Sequence, residues 1–359
     1  MSLIAHLKTI PDFRTQPRYP LWVVLLLVIM GILSGAQGYR ALEDFVARHQ
    51  VTLLQLLDLP YKRLPGFSTL RRIMVRLNYV PLGEAFNGWA QEAFPMLPAD
   101  AVPVDGKGIK ASVRDYDQEY QDFVSVVSAF SVHQGIVVGL EVMHNGETSE
   151  IATLQHLLAK LQVTGVCFSM DALHTQKKTI ASIIDSHNDY LIAVKANQGS
   201  LFKLLQAHAA AAAPLSVDTQ MEQTRDRQTQ RIVTVLEPPL GIAADWVGIR
   251  RVIQVERQGT RAHKPYQQTM LYISSLSSDA ATFAERIRTH WQIENRLHWV
   301  KDVVLREDQA PLCDGHALAN FAILRTVACN LFRANGFASV TKGIRYLAHD
   351  VHRLFSFFQ

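Results

Sequence analysis

The sequence predicts a chain of the α/β class: an all-α domain over residues 1–97, then an α/β domain over residues 98–359 with a β-rich insert at about 214–278. Three observations predict it. From residue 21 to about residue 94, apolar residues recur at spacings of three and four with few strand signals. Beyond Pro98 and Pro103, β-branched runs alternate with amphipathic helical stretches. After Pro214 the segments turn strand-like, and a long helical stretch returns only at Asp279.

In the front domain, residues 21–36 form a run of 16 without a charge. A membrane span needs roughly 18 to 20 apolar residues, and this run contains Gly31, Ser34 and Gly35, so it predicts a buried helix. The polar, proline-rich stretch before it and the lack of a clean small-residue cleavage site argue against a signal sequence. "FSTLRRIMVRL" predicts a short basic helix, capped by Ser68 or Thr69 and bearing Arg71, Arg72 and Arg76.

The second domain opens with three strands, "AVPVD", "FVSVVSAFSV" and "GIVVGLEVM", with a turn at "HQG" between the last two. "SEIATLQHLLAKLQ" is a helix with Ser149 as its cap, and "GVCFSMD" a largely apolar strand. "TQKKTIASIIDSH" is a helix, "DYLIAVKAN" a strand and "SLFKLLQAHAAAAA" a helix. Three strands followed by helix, strand, helix, strand and helix is the element order of a ribonuclease H-like mixed sheet. The insert contributes "RIVTVLEP", "IRRVIQVER" and "QTMLYISSL", with turns at "GIAAD" and "QGTRAHKP", before a helix capped by Asp279. No internal repeat appears, and low complexity is confined to the alanine run 209–213.

A hydrophobic content of 48% excludes a disordered chain. Net charge is +4 with pI near 8.9, too small a total to identify a polyanionic partner by itself. Its distribution says more: residues 1–95 hold ten Lys and Arg against six Asp and Glu, an excess equal to that of the entire chain. The front domain is therefore where a DNA-binding helical module would sit, and a solvated helix face explains the same charges. Cys167, Cys313 and Cys329 are far apart and form no CxxC pair, which argues against a disulfide framework or thiolate zinc site and for a reducing, cytoplasmic setting.

Two aspartates, Asp105 in "VPVD" and Asp171 in "CFSMD", stand at predicted strand ends, where open α/β sheets bind ligands. Carboxylates from neighbouring strands suit a hard divalent cation, while each alone suits a turn or helix cap equally well. Further on, "HWQIENRLHWVKD" puts His290, Glu294 and His298 at i, i+4 and i+8 of a helix, with Lys301 near its end. The stripe suits a zinc site, an ion-paired solvated face, or one acid of a metal centre completed upstream. Trp291 and Trp299 read as packing that fixes the helix against its neighbours.

Together "VPVDGKGIKAS", "VVSAFSVHQGIVVGLEVM", "ETSEIATLQHLLAKL", "FSMDALHTQKKTIASII", "DYLIAVKANQ" and "HWQIENRLHWVKDV" with its following "RED" resemble the DDE transposases of bacterial insertion sequences, of the H-repeat-associated, ISAs type. The likeness extends to the N-terminal "IPDFRTQPRYPLWVVLLLVIMGILSGAQGYRALEDF" and the C-terminal "NFAILRTVACNLFR". It implies Asp105, Asp171 and Glu294 as ligands of two Mg2+ or Mn2+ ions, DNA cleavage at element ends and strand transfer into target DNA, with Lys301 meeting a phosphate. It further implies double-stranded DNA as partner and a homodimer on DNA. Lys107, Lys110 and Lys195 are candidates for the DNA backbone, and Arg71, Arg72 and Arg76 for recognition of the ends. Related enzymes carry Tyr, two residues, Arg, three residues, Glu, six residues, Lys; here Glu294 and Lys301 match, while Ile287 and His290 stand at the Tyr and Arg positions. A histidine is no permanent cation at neutral pH, which sets His290 apart from the rest. A nuclease that cuts without joining, and a catalytically silent DNA-binding descendant, are the competing functions.

Overall fold

The structure, a computed structural model, describes residues 2–112, 123–224, 227–261, 264–310, 315–348 and 350–358. Cys313 and the tip of the predicted "QGTRAHKP" turn lie outside them. The chain divides into two compact units: unit 1 comprises residues 1–95, 106–157 and 293–359, and unit 2 residues 96–105 and 158–292.

Unit 1 begins with α1 (Leu3–Lys8), α2 (Leu21–Leu33), α3 (Tyr39–Arg48), α4 (Gln50–Leu56), α5 (Phe67–Arg76) and α6 (Tyr79–Ala93). The uncharged run is α2, buried on every face except at Trp22. Thirteen residues span only about 20 Å at the α-helical rise, and no helix among the described residues is long and apolar enough to cross a membrane. Gly35, at φ +90°, ends α2: its N–H donates to Ile32 O and that of Ala36 to Gly31 O, a left-handed stop that a side chain would strain. The basic helix α5 starts at Phe67, two or three residues earlier than a Ser68 or Thr69 cap predicts. Ser68 and Thr69 lie inside its first turn, and the Glu43 carboxylate from α3 accepts the Phe67 N–H at 2.9 Å in their stead.

The sheet begins with β1 (Ala101–Gly108), β2 (Val124–Ser131) and β3 (Ile136–His144), followed by α7 (Glu150–Lys160), β4 (Cys167–Met170), α8 (Lys177–Asp185), β5 (Asp189–Val194) and α9 (Gly199–Ala211). Next come β6 (Ser216–Thr224), β7 (Arg227–Leu236), β8 (Arg251–Arg261), β9 (Lys264–Ser274) and α10 (Ala280–His290). As predicted, Ser149 accepts from Ala152 N at the start of α7, and Asp279 from Thr282 N at the start of α10. The remaining helices are α11 (Ala317–Ala334), α12 (Val340–Leu347) and α13 (Val351–Phe355).

The strand order is β3-β2-β1-β4-β5-β9-β8-β7-β6. β1, β4 and β5 are parallel, β2 and β3 antiparallel, and β5 to β6 run antiparallel through β9, β8 and β7. The fold is thus mixed α/β with one large mixed sheet. The β-rich stretch extends that sheet with four strands where sequence reading predicted three.

In unit 1 one apolar core runs from Leu3 to Phe358, so the six front helices share their interior with α11, β2 and β3. The outer strand β3 is closed by side chains: Asn87 of α6 bonds both the N–H and C=O of Leu140, at 2.8 and 2.9 Å, and Asn330 of α11 does the same for Val137 at 2.9 and 2.8 Å. Unit 2 has its own core, in which Phe283, Ala284 and Ile287 of α10 pack with Val233, Val235, Ile253 and Val255 of the extended sheet.

Candidate active site

Parallel pairing of β1 with β4 ends at Pro103 opposite Ser169. Asp105 follows two residues later, half-buried, and β1 continues to Gly108, so this aspartate lies within its strand rather than at its end. Asp171 immediately follows β4 and is exposed. It holds the cap position of a short turn, Ala172–His174, yet its carboxylate makes no capping bond. The turn is pinned instead by Thr175, whose hydroxyl donates to Ala193 O at 2.6 Å, and Asn197, whose amide donates to Ala172 O at 2.6 Å. The carboxylate of Asp171 is thereby left to the surface by a rigid support.

Asp171 lines a cleft of about 250 Å³ in unit 2, together with Ser169, Lys195, Arg257, Tyr272 and His290. His290 Nδ1 is 3.0 Å from Ser169 Oγ, so the residue at the family's arginine position is tied to β4. Burial pushes the Tyr272 phenol above its ordinary range. Lys195 is exposed there, as a phosphate contact requires. Sequence reading missed Arg257, whose only signal is an arginine within an insert strand.

Past His290 the predicted continuous α-helix changes pitch. Glu294–His298 and Val300–Val304 are π-helical, with i→i+5 bonds from Trp299 N to Glu294 O and from Leu305 N to Val300 O. At 3.6 residues per turn Lys301 would lie on the face of Glu294; the wider turns rotate it away. Glu294 is exposed, and its Oε2 lies 2.9 Å from Nδ1 of the buried His298. Glu294 and His298 thus form a carboxylate–imidazole pair within unit 1, while Asp105 and Asp171 belong to unit 2. A carboxylate beside an imidazole offers donors that fit a divalent transition-type cation, and the carboxylate alone tolerates magnesium. His298, predicted only as part of a zinc stripe, is thus a side chain in contact with Glu294.

Two predicted phosphate contacts are placed elsewhere. Lys301 is 1% exposed, with Nζ 3.2 Å from the fully buried Glu307, and Lys107 is 8% exposed, with Nζ 2.7 Å from Asp302 and 3.3 Å from Glu307. Neither ammonium is presented to a ligand. Arg325 completes the cluster, its guanidinium 3.9 Å from Glu307. Burial alone would raise the Glu307 pKa, but Lys301, Arg325 and Lys107 outweigh it and hold the carboxyl below its usual value. Lys110, by contrast, is largely exposed, as are Arg71, Arg72 and Arg76. Trp291 and Trp299 are 48% and 55% exposed, so they do not serve as the packing predicted for them.

Residues 97–331 match the family described as Transposase DDE domain, and residues 4–90 the one described as DDE_Tnp_1-associated. The chain belongs to the DDE transposase family, and its curated relatives place it in the H-repeat-associated group. The Escherichia coli K12 protein "H repeat-associated putative transposase YhhI" is 29% identical over 347 residues, covering 92% of this chain and 90% of that protein. "H repeat-associated putative transposase YbfD", of the same strain, is 31% identical over 208 residues, 57% of this chain and 80% of that protein. A piggyBac transposase synaptic complex with hairpin DNA aligns at a TM-score of 0.47 and 10% identity, covering 99% of this chain and 76% of that one.

Proposed function

We propose that the chain is a DNA transposase that cuts phosphodiester bonds at the ends of an insertion element and joins them to target DNA, with Asp105, Asp171 and Glu294 as the acids of its metal centre. The observation that carries this reading is the match of residues 97–331 to the Transposase DDE domain family, a span that holds all three acids. The strand order β3-β2-β1-β4-β5 supports a ribonuclease H-like frame for it.

Divalent cations held by these acids supply activation of water and stabilisation of the leaving oxygen. The carboxylates of Asp105 and Glu294 give hard oxygen donors, and His298 orients Glu294 through its 2.9 Å contact. In the first reaction water attacks the phosphorus, the P–O3′ bond breaks and the 3′ oxygen leaves as a hydroxyl. In the second, that hydroxyl attacks a target phosphodiester, whose own 3′ oxygen departs. Lys195, Lys110 and, when protonated, His290 meet backbone phosphate, while Lys107 and Lys301 position the acid-bearing elements from within the protein. Joining needs both element ends, so the active species on DNA is a homodimer, working in the cytoplasm.

Purified protein, Mg2+ or Mn2+ and labelled element-end DNA test the reading. Nicked plus joined product is expected. Nicking alone would make the chain a nuclease, and binding alone a silent DNA-binding descendant. Asp105→Asn, Asp171→Asn and Glu294→Gln should each abolish cleavage and retain end binding; full cleavage by any one removes that residue from the centre.

A further inference from the structure

Unit 1 contains a cleft of about 710 Å³ walled by two stretches of chain, residues 13–19 and 63–76. Arg14, Arg18, Arg63, Arg72 and Arg76 line it, and among the described residues no carboxylate does. Arg14 is already neutralised, its guanidinium forking onto Asp12 at 2.7 and 2.8 Å and donating to Tyr19 O. It builds the wall. The other four arginines are solvent-exposed, and none is in an ion pair among the described residues.

The walls are fixed before any ligand arrives. Tyr19 is buried, its hydroxyl donates to Arg63 O at 2.8 Å, and its ring packs edge-on against Tyr61 at 5.1 Å. Arg18 lies over the Tyr19 ring at 5.4 Å and Arg76 over Phe13 at 5.5 Å, so two guanidiniums are held by aromatic faces rather than by acids. Four like charges around one cleft repel in the empty protein, and that repulsion is relieved only by an anion of several charges. A guanidinium matches phosphate oxygens in a planar fork.

We propose that this cleft seats the phosphodiester backbone of double-stranded DNA, gripping it without reading its sequence. Guanidiniums that meet phosphate oxygens position a duplex rather than specify it. The proposal deepens the transposase reading above, yet its test involves no cleavage, so the two fail separately.

The test is binding of a labelled duplex in EDTA across a salt series, using an element-end sequence and a scrambled one. Changing Arg18, Arg63, Arg72 and Arg76 together to Gln should flatten the slope of log Kd against log salt by roughly 3 to 4, at about 0.9 for each phosphate no longer neutralised. Both duplexes should weaken by the same factor, on the order of 1,000-fold near 0.1 M salt. The same four positions changed to Lys should keep most of the slope, which separates charge from loss of packing. Neutralising the exposed Arg48, Lys342, Arg345 and Arg353 instead should change it by less than one unit. An unchanged slope in the Gln variant, an equal fall in the control, or a loss confined to the element-end duplex overturns the proposal. So does inorganic phosphate or a free mononucleotide binding as tightly as the duplex.

Discussion

Replacing Glu307 by Gln removes a single negative charge that faces three buried cations. Lys301 Nζ stands 3.2 Å away, Lys107 Nζ 3.3 Å and an Arg325 nitrogen 3.9 Å, while Glu307 itself is wholly shielded from water. Lys107 keeps Asp302 at 2.7 Å, so the uncompensated charges are those of Lys301 and Arg325. Leaving a buried charge without its partner costs about 3 to 5 kcal/mol. The carboxylate oxygens lie near the cations without well-aligned hydrogen bonds, which places this cluster at the lower end, about 3 kcal/mol or roughly a 150-fold shift in the folding equilibrium. Urea unfolding followed by the fluorescence of Trp22 and Trp89, both in unit 1, measures it. A loss under about 1 kcal/mol, the range of exposed ion pairs, would refute the argument. Replacing Lys301 by Met in the same chain should recover part of the loss, because the orphaned charge goes with it. The sign with pH follows: a carboxyl depressed below 4.5 contributes stability that is present above that value and is lost as pH falls through the folded-state pKa. Lys107 mirrors it. Burial would lower its pKa, but Glu307, Asp302 and Asp308 raise it above 10.5, so its contribution is lost only as pH rises beyond that.

Asn330→Ala should destabilise unit 1 by about 2 to 4 kcal/mol, since it strips partners from the buried N–H and C=O of Val137, and amide exchange at Val137 should quicken in step. Gly135→Ala should cost about 1 to 2 kcal/mol, because φ is +72° there and the new Cβ meets the Arg296 guanidinium that donates to Val132 O; thermal unfolding reads the difference. His298→Ala should weaken Mn2+ binding by about tenfold or more, seen by calorimetry in the absence of DNA, if its imidazole is a ligand or orients one. Unchanged Mn2+ affinity would leave His298 a purely structural neighbour of Glu294.

Much of this architecture was legible because hydrophobic periodicity reports burial. The apolar run of α2, the β-branched strands β2 to β5 and the Asp279 cap are all visible as residue patterns. β6 was missed because its sequence, "SVDTQMEQT", is polar and lies at a sheet margin, where no buried face enforces alternation. The buried cluster was misread for a different reason. Lys107, Lys301 and Arg325 look like surface charges until Glu307 is seen to gather them, and that meeting depends on tertiary structure. The π turns were equally hidden: they change the spacing rule itself, so Lys301, predicted to share a face with Glu294, parted from it while His298 stayed. Asp171 was placed correctly after its strand, whereas Asp105 sits inside a longer strand than its local sequence suggested.

Asn87 of α6 and Asn330 of α11 make the outer edge of β3 unlike an ordinary strand edge. Where the amides of Val137 and Leu140 are answered by side chains of α11 and α6, the strand offers no template to another strand at those positions. Among the described residues β6 pairs only with β7, and it shows Val217 and Met221 to solvent, each more than half exposed. A strand from another molecule would therefore meet open amides along β6 and, at Val137 and Leu140, amides already taken.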